Sequence, residues 1–280
     1  MRGIGFWRTA AAVLCLVTVL AIARAEPRTA ALSAPAPAPL RVMPLGASST
    51  VGKGSPATAG YRGPLQELLA RDGVRVDLVG SLHDGPATVR DRDHEGRSGW
   101  TLARMAPLVA DWVRQARPDI VLLHAGTNDL LHGVSPRVAA DRLAAVLDAI
   151  AAVSDAHVIV AGVWAPLPGR IGERAEFARR AAAVVAAHRA RGHSVRYLDT
   201  SNLLTRGDLA DGLHPNAAGY RKIAALWERE IEAYLRVRQG LRPVARAPRS
   251  AVRRAAPGQR ASRRRARPRP APVRRPAGTP

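Results

Sequence analysis

Residues 120–129 read Ile-Val-Leu-Leu-His-Ala-Gly-Thr-Asn-Asp, and the fold unfolds outward from them. Ile120-Val-Leu-Leu123 is apolar without a break, where a strand with one wet face would alternate. Continuous apolar character suits a strand buried on both faces, the habit of parallel sheets covered by helices on each side. Val158-Ile-Val160 repeats the pattern. With Arg41–Leu45, Val74–Val79, Val158–Val163 and Val195–Leu198, five strands are predicted. Helical patterns lie between them. Ser135 caps one, with Pro136 in its first turn and Ala139, Leu143, Val146, Leu147 and Ile150 on one face. A second spans about Glu173–Arg191 and stops at Gly192. The last begins at Pro215 and carries the apolar stripe Ile223, Trp227, Ile231 and Tyr234. This alternation predicts an α/β fold, a three-layer αβα sandwich with a central parallel sheet of about five strands. Ligands in such sheets bind at the carboxyl ends of the strands.

The chain of 280 residues is long enough for one well-buried domain. Its net charge of +21 is unevenly placed: Gly240–Pro280 holds 13 arginines and no Asp, Glu or Lys. The charge therefore describes an appendage more than a catalytic domain. Residues 1–25 read as an export signal, with Arg2 and Arg8 ahead of the apolar run Thr9–Ala23 and Ala23-Arg24-Ala25 as a cleavage site. The run is shorter than the roughly 20 residues of a membrane span. Secretion is expected, to the outside or to the cell wall. The only cysteine, Cys15, lies inside that signal. Cleavage after Ala25 would leave no disulfide, thiolate nucleophile or cysteine metal site. Residues 26–39 form an Ala/Pro-rich linker, residues 40–237 the folded domain, and residues 238–280 an Arg/Pro-rich tail expected to be disordered. The tail reads either as a solvated extension or as an adhesive for an anionic cell-wall polymer. No aromatic residues interleave its arginines, so specific nucleic-acid binding is not supported.

Four segments carry the polar residues that could do chemistry. Met43-Pro-Leu-Gly-Ala-Ser-Ser-Thr50 runs a strand into a Gly/Ser turn that can present the Ser48 hydroxyl beside backbone N–H groups. His94-Glu-Gly-Arg-Ser-Gly-Trp-Thr101 lies in a stretch from Ser81 to Trp100 with no strand or helix pattern. Gly126-Thr-Asn-Asp129 follows the buried strand, and an asparagine there can aim its amide at a developing oxyanion. Asp211-Gly-Leu-His214-Pro215 sets a carboxylate three residues before a histidine whose backbone Pro215 holds extended. A serine nucleophile needs such a base, and the base needs such an acceptor. Each segment alone also reads as an ordinary loop, cap or turn.

In this order the four segments resemble the four sequence blocks of the SGNH (GDSL-type) hydrolase superfamily, and the fold implied is the flavodoxin-like SGNH hydrolase fold. The resemblance covers about Arg41 to Tyr220. It implies a serine esterase with Ser48, Asp211 and His214 as catalytic triad, and an oxyanion hole from the Ser48 and Gly99 amides and the Asn128 side chain. Ala47 departs from the pattern, since the family has Asp in Gly-Asp-Ser; the change is expected to loosen the turn or alter the pocket. Met43-Pro-Leu-Gly, Glu95-Gly-Arg-Ser-Gly-Trp-Thr and Asp211-Gly-Leu-His-Pro-Asn are similar to acetyl xylan esterases of carbohydrate esterase family 3. That similarity implies a short acyl ester, acetyl above all, on a small molecule or a polysaccharide. Trp100 and Trp164 are candidate sugar platforms or, more ordinarily, core residues.

Alternatives remain within and beyond the enzyme class: a lipase- or thioesterase-type relative, or a non-catalytic cell-wall or glycan binder on the same fold. No cofactor is expected. Val51-Gly-Lys-Gly-Ser55 fails the phosphate-loop pattern, and Gly46-Ala-Ser-Ser-Thr50 lacks the second glycine of an α/β-hydrolase elbow. Asp91, Asp93, His94 and Glu95 read as a solvated polar loop, so no metal is expected. A monomer is expected, with no transmembrane segment after cleavage.

Overall fold

The structure, a computed structural model, describes residues 38–240. The segment read as an export signal, with Cys15, residues 26–37 of the expected linker and the expected tail from residue 241 lie outside the described residues. Strand β1 (Leu40–Gly46) leads into the one-turn helix α1 (Ser48–Val51) and helix α2 (Arg62–Arg71). Strands β2 (Val76–Leu78), β3 (Leu82–His83) and β4 (Asp93–Gly96) follow, then helices α3 (Leu102–Met105) and α4 (Val109–Ala116). Strand β5 (Ile120–His124) is followed by α5 (Thr127–Leu131) and α6 (Pro136–Ala151). Then come β6 (His157–Ala161), α7 (Ile171–Ala190), β7 (Val195–Leu198) and α8 (Ala217–Arg238).

The sheet has seven strands, ordered β3-β4-β1-β5-β6-β7, with β2 also paired to β1. All pairs are parallel except β3 with β4. The edge beside β1 is shared: β2 pairs with Leu40–Val42, and β4 with Leu45–Gly46. All five predicted strands are present, with ends shifted by up to two residues. β3 and β4 lie in the stretch predicted to have no pattern, and the solvated loop expected at residues 91–95 is corrected with them. His94 and Glu95 are fully buried. Polar partners make that burial possible: His94 Nε2 meets the Asp84 carboxylate at 2.9 Å, and Glu95 accepts from Ser81 N at 2.8 Å and from Arg97.

Side-chain alternation on the central strands sorts the core into two layers. Ile120 and Leu122 join Val42, Ile159, the α2 residues Leu65 and Leu69, and the α8 residues Tyr220, Ile223, Trp227 and Ile231. Val121 and Leu123 face the other way, toward Met43, Val160, Val113 of α4, Leu143 and Val146 of α6, and Phe177 and Val185 of α7. This is the two-sided burial that an unbroken apolar run requires. Trp227 is fully buried, and its truncation to alanine would cost about 3–5 kcal/mol. The predicted cap of α6 is present, with Ser135 Oγ accepting from Val138 N at 3.4 Å. α8 starts after Pro215, with Asn216 as cap accepting from Ala218 N and Gly219 N. Among the described residues no helix is long and apolar enough to cross a membrane.

Candidate active site

β1 and β5 are neighbours, but the chain leaves β1 toward one edge and returns at β5 to build the other. The crevice at their carboxyl ends is the switch point where open α/β sheets bind ligands. Gly46 and His124, the last residues of the two strands, stand in register. A β-carbon on Gly46 would lie 2.4 Å from His124 O and 2.5 Å from Thr50 Oγ1, so only glycine lets the turn after β1 close against β5. That turn puts Ser48 at the head of α1.

α1 has no side-chain cap, because Ala47 offers none. The turn closes through backbone instead: Ala47 O accepts from Thr50 N at 3.0 Å and Val51 N at 3.2 Å, and Ser48 O from Gly52 N and Lys53 N at 3.0 Å each. The Ala47 methyl joins the core beside Met43 and Leu45 and lines the cleft. The first amides of a helix have no intrahelical acceptor, which leaves the Ser48 N–H available.

The second half of the site comes from the segment before α8. His214 Nε2 lies 3.0 Å from Ser48 Oγ, and His214 Nδ1 lies 2.7 Å from Asp211 Oδ2. Asp211 Oδ1 accepts from His214 N at 2.7 Å and Leu213 N at 3.1 Å, so one carboxylate grips the histidine by backbone and ring together. These bonds hold the Asp211 carboxyl down to about 2, well below the usual carboxylate range. Ionised at working pH, it holds the Nδ1–H tautomer and leaves Nε2 free to accept a proton. Asp208, three residues earlier, turns elsewhere: it accepts from Thr205 N at 2.8 Å and pairs with Lys222 Nζ at 2.7 Å.

The loop after β5 provides the third part. Gly126 sits at φ 101, and a β-carbon there would come within 2.6 Å of the Phe177 ring. This left-handed step starts α5 and places Asn128 at the cleft. Asn128 Nδ2 donates to Trp100 O at 2.8 Å, which commits one amide hydrogen and leaves the other for a ligand. Asp129 is buried and accepts from Leu102 N at 2.9 Å and Arg142 at 2.9 Å, anchoring the loop from below.

A shallow cleft joins these pieces, walled by Ala47, Ser48, Asn128, Leu213 and His214 together with His124, Trp164 and Ala165. Ser48, Asp211, His214 and Asn128 are thus brought together. Gly99 is exposed, at φ 77, and does not line the cleft. Trp164 is buried and stacks on His124 with ring centroids 3.3 Å apart, so it is core with one edge in the cleft. Trp100 is half-buried against Trp112 and flanked by the Arg97 and Arg104 guanidiniums. Sequence reasoning passed over His124, which read as the tail of a strand. Burial pushes its imidazole down to about 3, so it is neutral, and neither ring nitrogen has a hydrogen-bond partner.

Asp91, Asp93 and His94 do not converge: they bond to Leu78 N, His83 and Asp84 respectively. Asp72, Glu228 and Glu232 do bring three carboxylates within 4.8 Å, between α2 and α8 and outside the cleft walls, but each already has a partner within the protein.

Comparison with known proteins gives consistent results. A profile of the GDSL-like Lipase/Acylhydrolase family matches residues 45–222. A multidomain esterase of Ruminococcus flavefaciens is 28% identical over 263 residues, covering 84% of this chain and 33% of that protein. The chain thus spans only a third of the length of that relative. A family 3 carbohydrate esterase of Clostridium thermocellum superposes with a TM-score of 0.65 at 32% identity, covering 71% of this chain and 98% of the other. A carbohydrate esterase family 3 protein of Talaromyces cellulolyticus gives a TM-score of 0.60 at 25% identity, with 71% and 99% covered.

Proposed function

Because the chain belongs to the GDSL-like lipase/acylhydrolase family, and is a carboxylic ester hydrolase, we propose that it is a secreted esterase removing short acyl groups, chiefly acetyl, from carbohydrate. The observation that carries the catalytic part is the continuous line Ser48 Oγ, His214 and Asp211, with steps of 3.0 and 2.7 Å. His214 Nε2 takes the Ser48 proton as Oγ attacks the ester carbonyl. The negative oxygen that forms is met by the Ser48 amide and by the free Asn128 hydrogen, both on the cleft wall, from which Gly99 stands apart. The tetrahedral intermediate collapses, His214 returns the proton to the leaving alcohol, and an acyl-serine remains. A water molecule then repeats the sequence with His214 as base, releasing the carboxylic acid and restoring Ser48.

Trp164, Ala165 and Leu213 line the cleft beside Ser48, and we read these walls as the seat of a short acyl group, acetyl above all. Carbohydrate as the alcohol part is supported by the family 3 carbohydrate esterases among the relatives. The arginine-rich tail is proposed to hold the enzyme on an anionic cell-wall polymer. The test is acetate release from acetylated xylan, alongside p-nitrophenyl esters of increasing chain length. Acetate release with acetyl preferred supports the proposal. Octanoyl esters cleaved tenfold faster than acetyl would make the enzyme a lipase- or thioesterase-type hydrolase.

A further inference from the structure

Arg62 opens α2 with its side chain fully buried, although it does not line the cleft. A guanidinium does not give up its proton in a protein, so its charge must be met by acceptors. Nε donates to Thr50 O at 3.1 Å and Nη2 to Val51 O at 3.2 Å. Nη2 also reaches Asp84 O at 3.1 Å, Nη1 donates to Arg92 O at 2.6 Å, and the Asp84 carboxylate lies 3.5 Å from Nη2.

Thr50 and Val51 are the last residues of α1, whose first residue is Ser48. A single turn cannot satisfy its own final carbonyls, and this one lacks a side-chain cap at its start as well. Arg62 supplies those donors from a longer helix. The opposite side of the fork grips Asp84 and Arg92, on the segment entering β4. β4 then pairs Gly96 with Gly46, two residues before Ser48, and runs on toward Gly99 and Trp100. One rigid group therefore spans the nucleophile's turn and the segment feeding the oxyanion side.

We propose that Arg62 is a positioning residue for ester hydrolysis, fixing α1 and with it Ser48 against β4 and the loop after it, whose Trp100 carbonyl holds the Asn128 amide. This rests on Ser48 being the nucleophile. Lysine cannot replace it, because a point charge on a flexible stem lacks the planar fork that meets two successive carbonyls. Gln66, one turn along α2, is the natural control. It grips Asp91 by both amide atoms, donating to its O at 2.8 Å and accepting from its N at 3.0 Å, and has no bond to α1.

The test uses the full chain and compares Arg62→Lys, Arg62→Ala and Gln66→Ala. Active sites are counted with a fluorophosphonate, so that kcat refers to folded, labelled enzyme, and thermal unfolding is followed in parallel. Misplacement of a reacting group by an ångström costs up to about a hundredfold, so Arg62→Lys is expected to lose about ten- to a hundredfold in kcat per labelled site. KM for p-nitrophenyl acetate should stay within about twofold, because ground-state binding is untouched. Labelling of Ser48 should slow by the same factor as kcat. Millimolar guanidinium should restore part of the loss in Arg62→Ala, where the side chain's space is vacant. Gln66→Ala should lower the unfolding temperature with kcat per site unchanged. Arg62→Lys with full kcat per site, or a Gln66→Ala loss equal to it, overturns the proposal and leaves Arg62 a core residue. If neither Arg62 variant folds, Asp84→Ala, which removes the exposed carboxylate beside Nη2, takes their place: a loss of kcat per site at unchanged KM supports the proposal, and full kcat per site overturns it. Activity surviving Ser48→Ala would instead defeat the nucleophile assignment, a separate and distinguishable failure.

Discussion

Asp211 and Asp208 offer the sharpest contrast between catalysis and architecture, since the two carboxylates are three residues apart and both are held down to about 2. In Asp211→Asn the oxygen at Oδ1 can keep its bonds from His214 N and Leu213 N, at 2.7 and 3.1 Å, so the loop should hold its shape. The new NH₂ then faces His214 Nδ1 at the position of the present 2.7 Å contact. A donor there forces Nδ1 to accept and moves the ring proton to Nε2, which points at Ser48 Oγ. The base is lost and the imidazolium has no counter-charge. The equivalent change in a serine-protease triad lowers turnover about 10⁴-fold, or about 5.5 kcal/mol of barrier. Asp208→Asn loses the ion pair with Lys222 and weakens the cap at Thr205, neither of which touches His214. It should lower the unfolding temperature by several degrees and leave kcat within about twofold. Turnover of p-nitrophenyl acetate and thermal unfolding of both variants decide the matter. Asp211→Asn retaining more than about a tenth of wild-type kcat, or the reverse order of severity, refutes the reasoning.

Other outcomes follow from the same geometry. Asn128→Ala should lower kcat by about 10²–10³ with little change in KM, as a transition-state donor does; unchanged turnover would reduce Asn128 to a brace for Trp100. His124 is neutral in the fold, with its pKa pushed down to about 3, while the unfolded chain's histidine titrates near 6.5. The unfolded state therefore binds more protons between these values, and acidification through that window destabilises the fold. His124→Phe keeps the ring on Trp164 and should shrink the fall in unfolding temperature between pH 7 and pH 4; an unchanged fall would clear His124 of that role. Deleting residues 240–280 should leave turnover of small esters unaltered and weaken retention on anionic cell-wall material. Wild-type retention should also fall steeply with salt, as screening and counterion release require. Equal retention of the two proteins would make the tail inert.

The parts of the fold legible in the sequence are those where an apolar pattern runs long enough to show its period. β5 and β6 were plain because both faces are covered, and α6 because Ser135-Pro136 announces its start above a regular apolar stripe. β4 was hidden because Asp-His-Glu-Gly contains no apolar side chain. Its burial depends on Asp84 and Arg97, partners that a periodicity argument does not see. α1 and α5 were hidden by length, since one turn has no period. Within the site, Ser48, Asn128, Asp211 and His214 stood out as polar residues in short turns after predicted strands, in a recognisable order. Arg62 did not, because nothing local separates it from the other basic residues of a chain that holds 43. The available clue was its place beside Tyr61 and Leu65 at the start of an apolar stripe, with Gln66 four residues on. His124 was readable only as the polar end of an apolar run, and its stacking on Trp164 required the register of β5 and β6.

The central claim is that hydrolysis passes through an acyl group on Ser48. Peptide mapping by mass spectrometry after reaction of the full chain with a fluorophosphonate tests it directly, with loss of p-nitrophenyl acetate hydrolysis followed in the same sample. The account predicts one adduct, on the peptide containing Ser48 and localised to that residue, formed in step with the loss of activity and absent from Ser48→Ala. An adduct on Ser49, or full hydrolysis by a chain that takes no label, would contradict it.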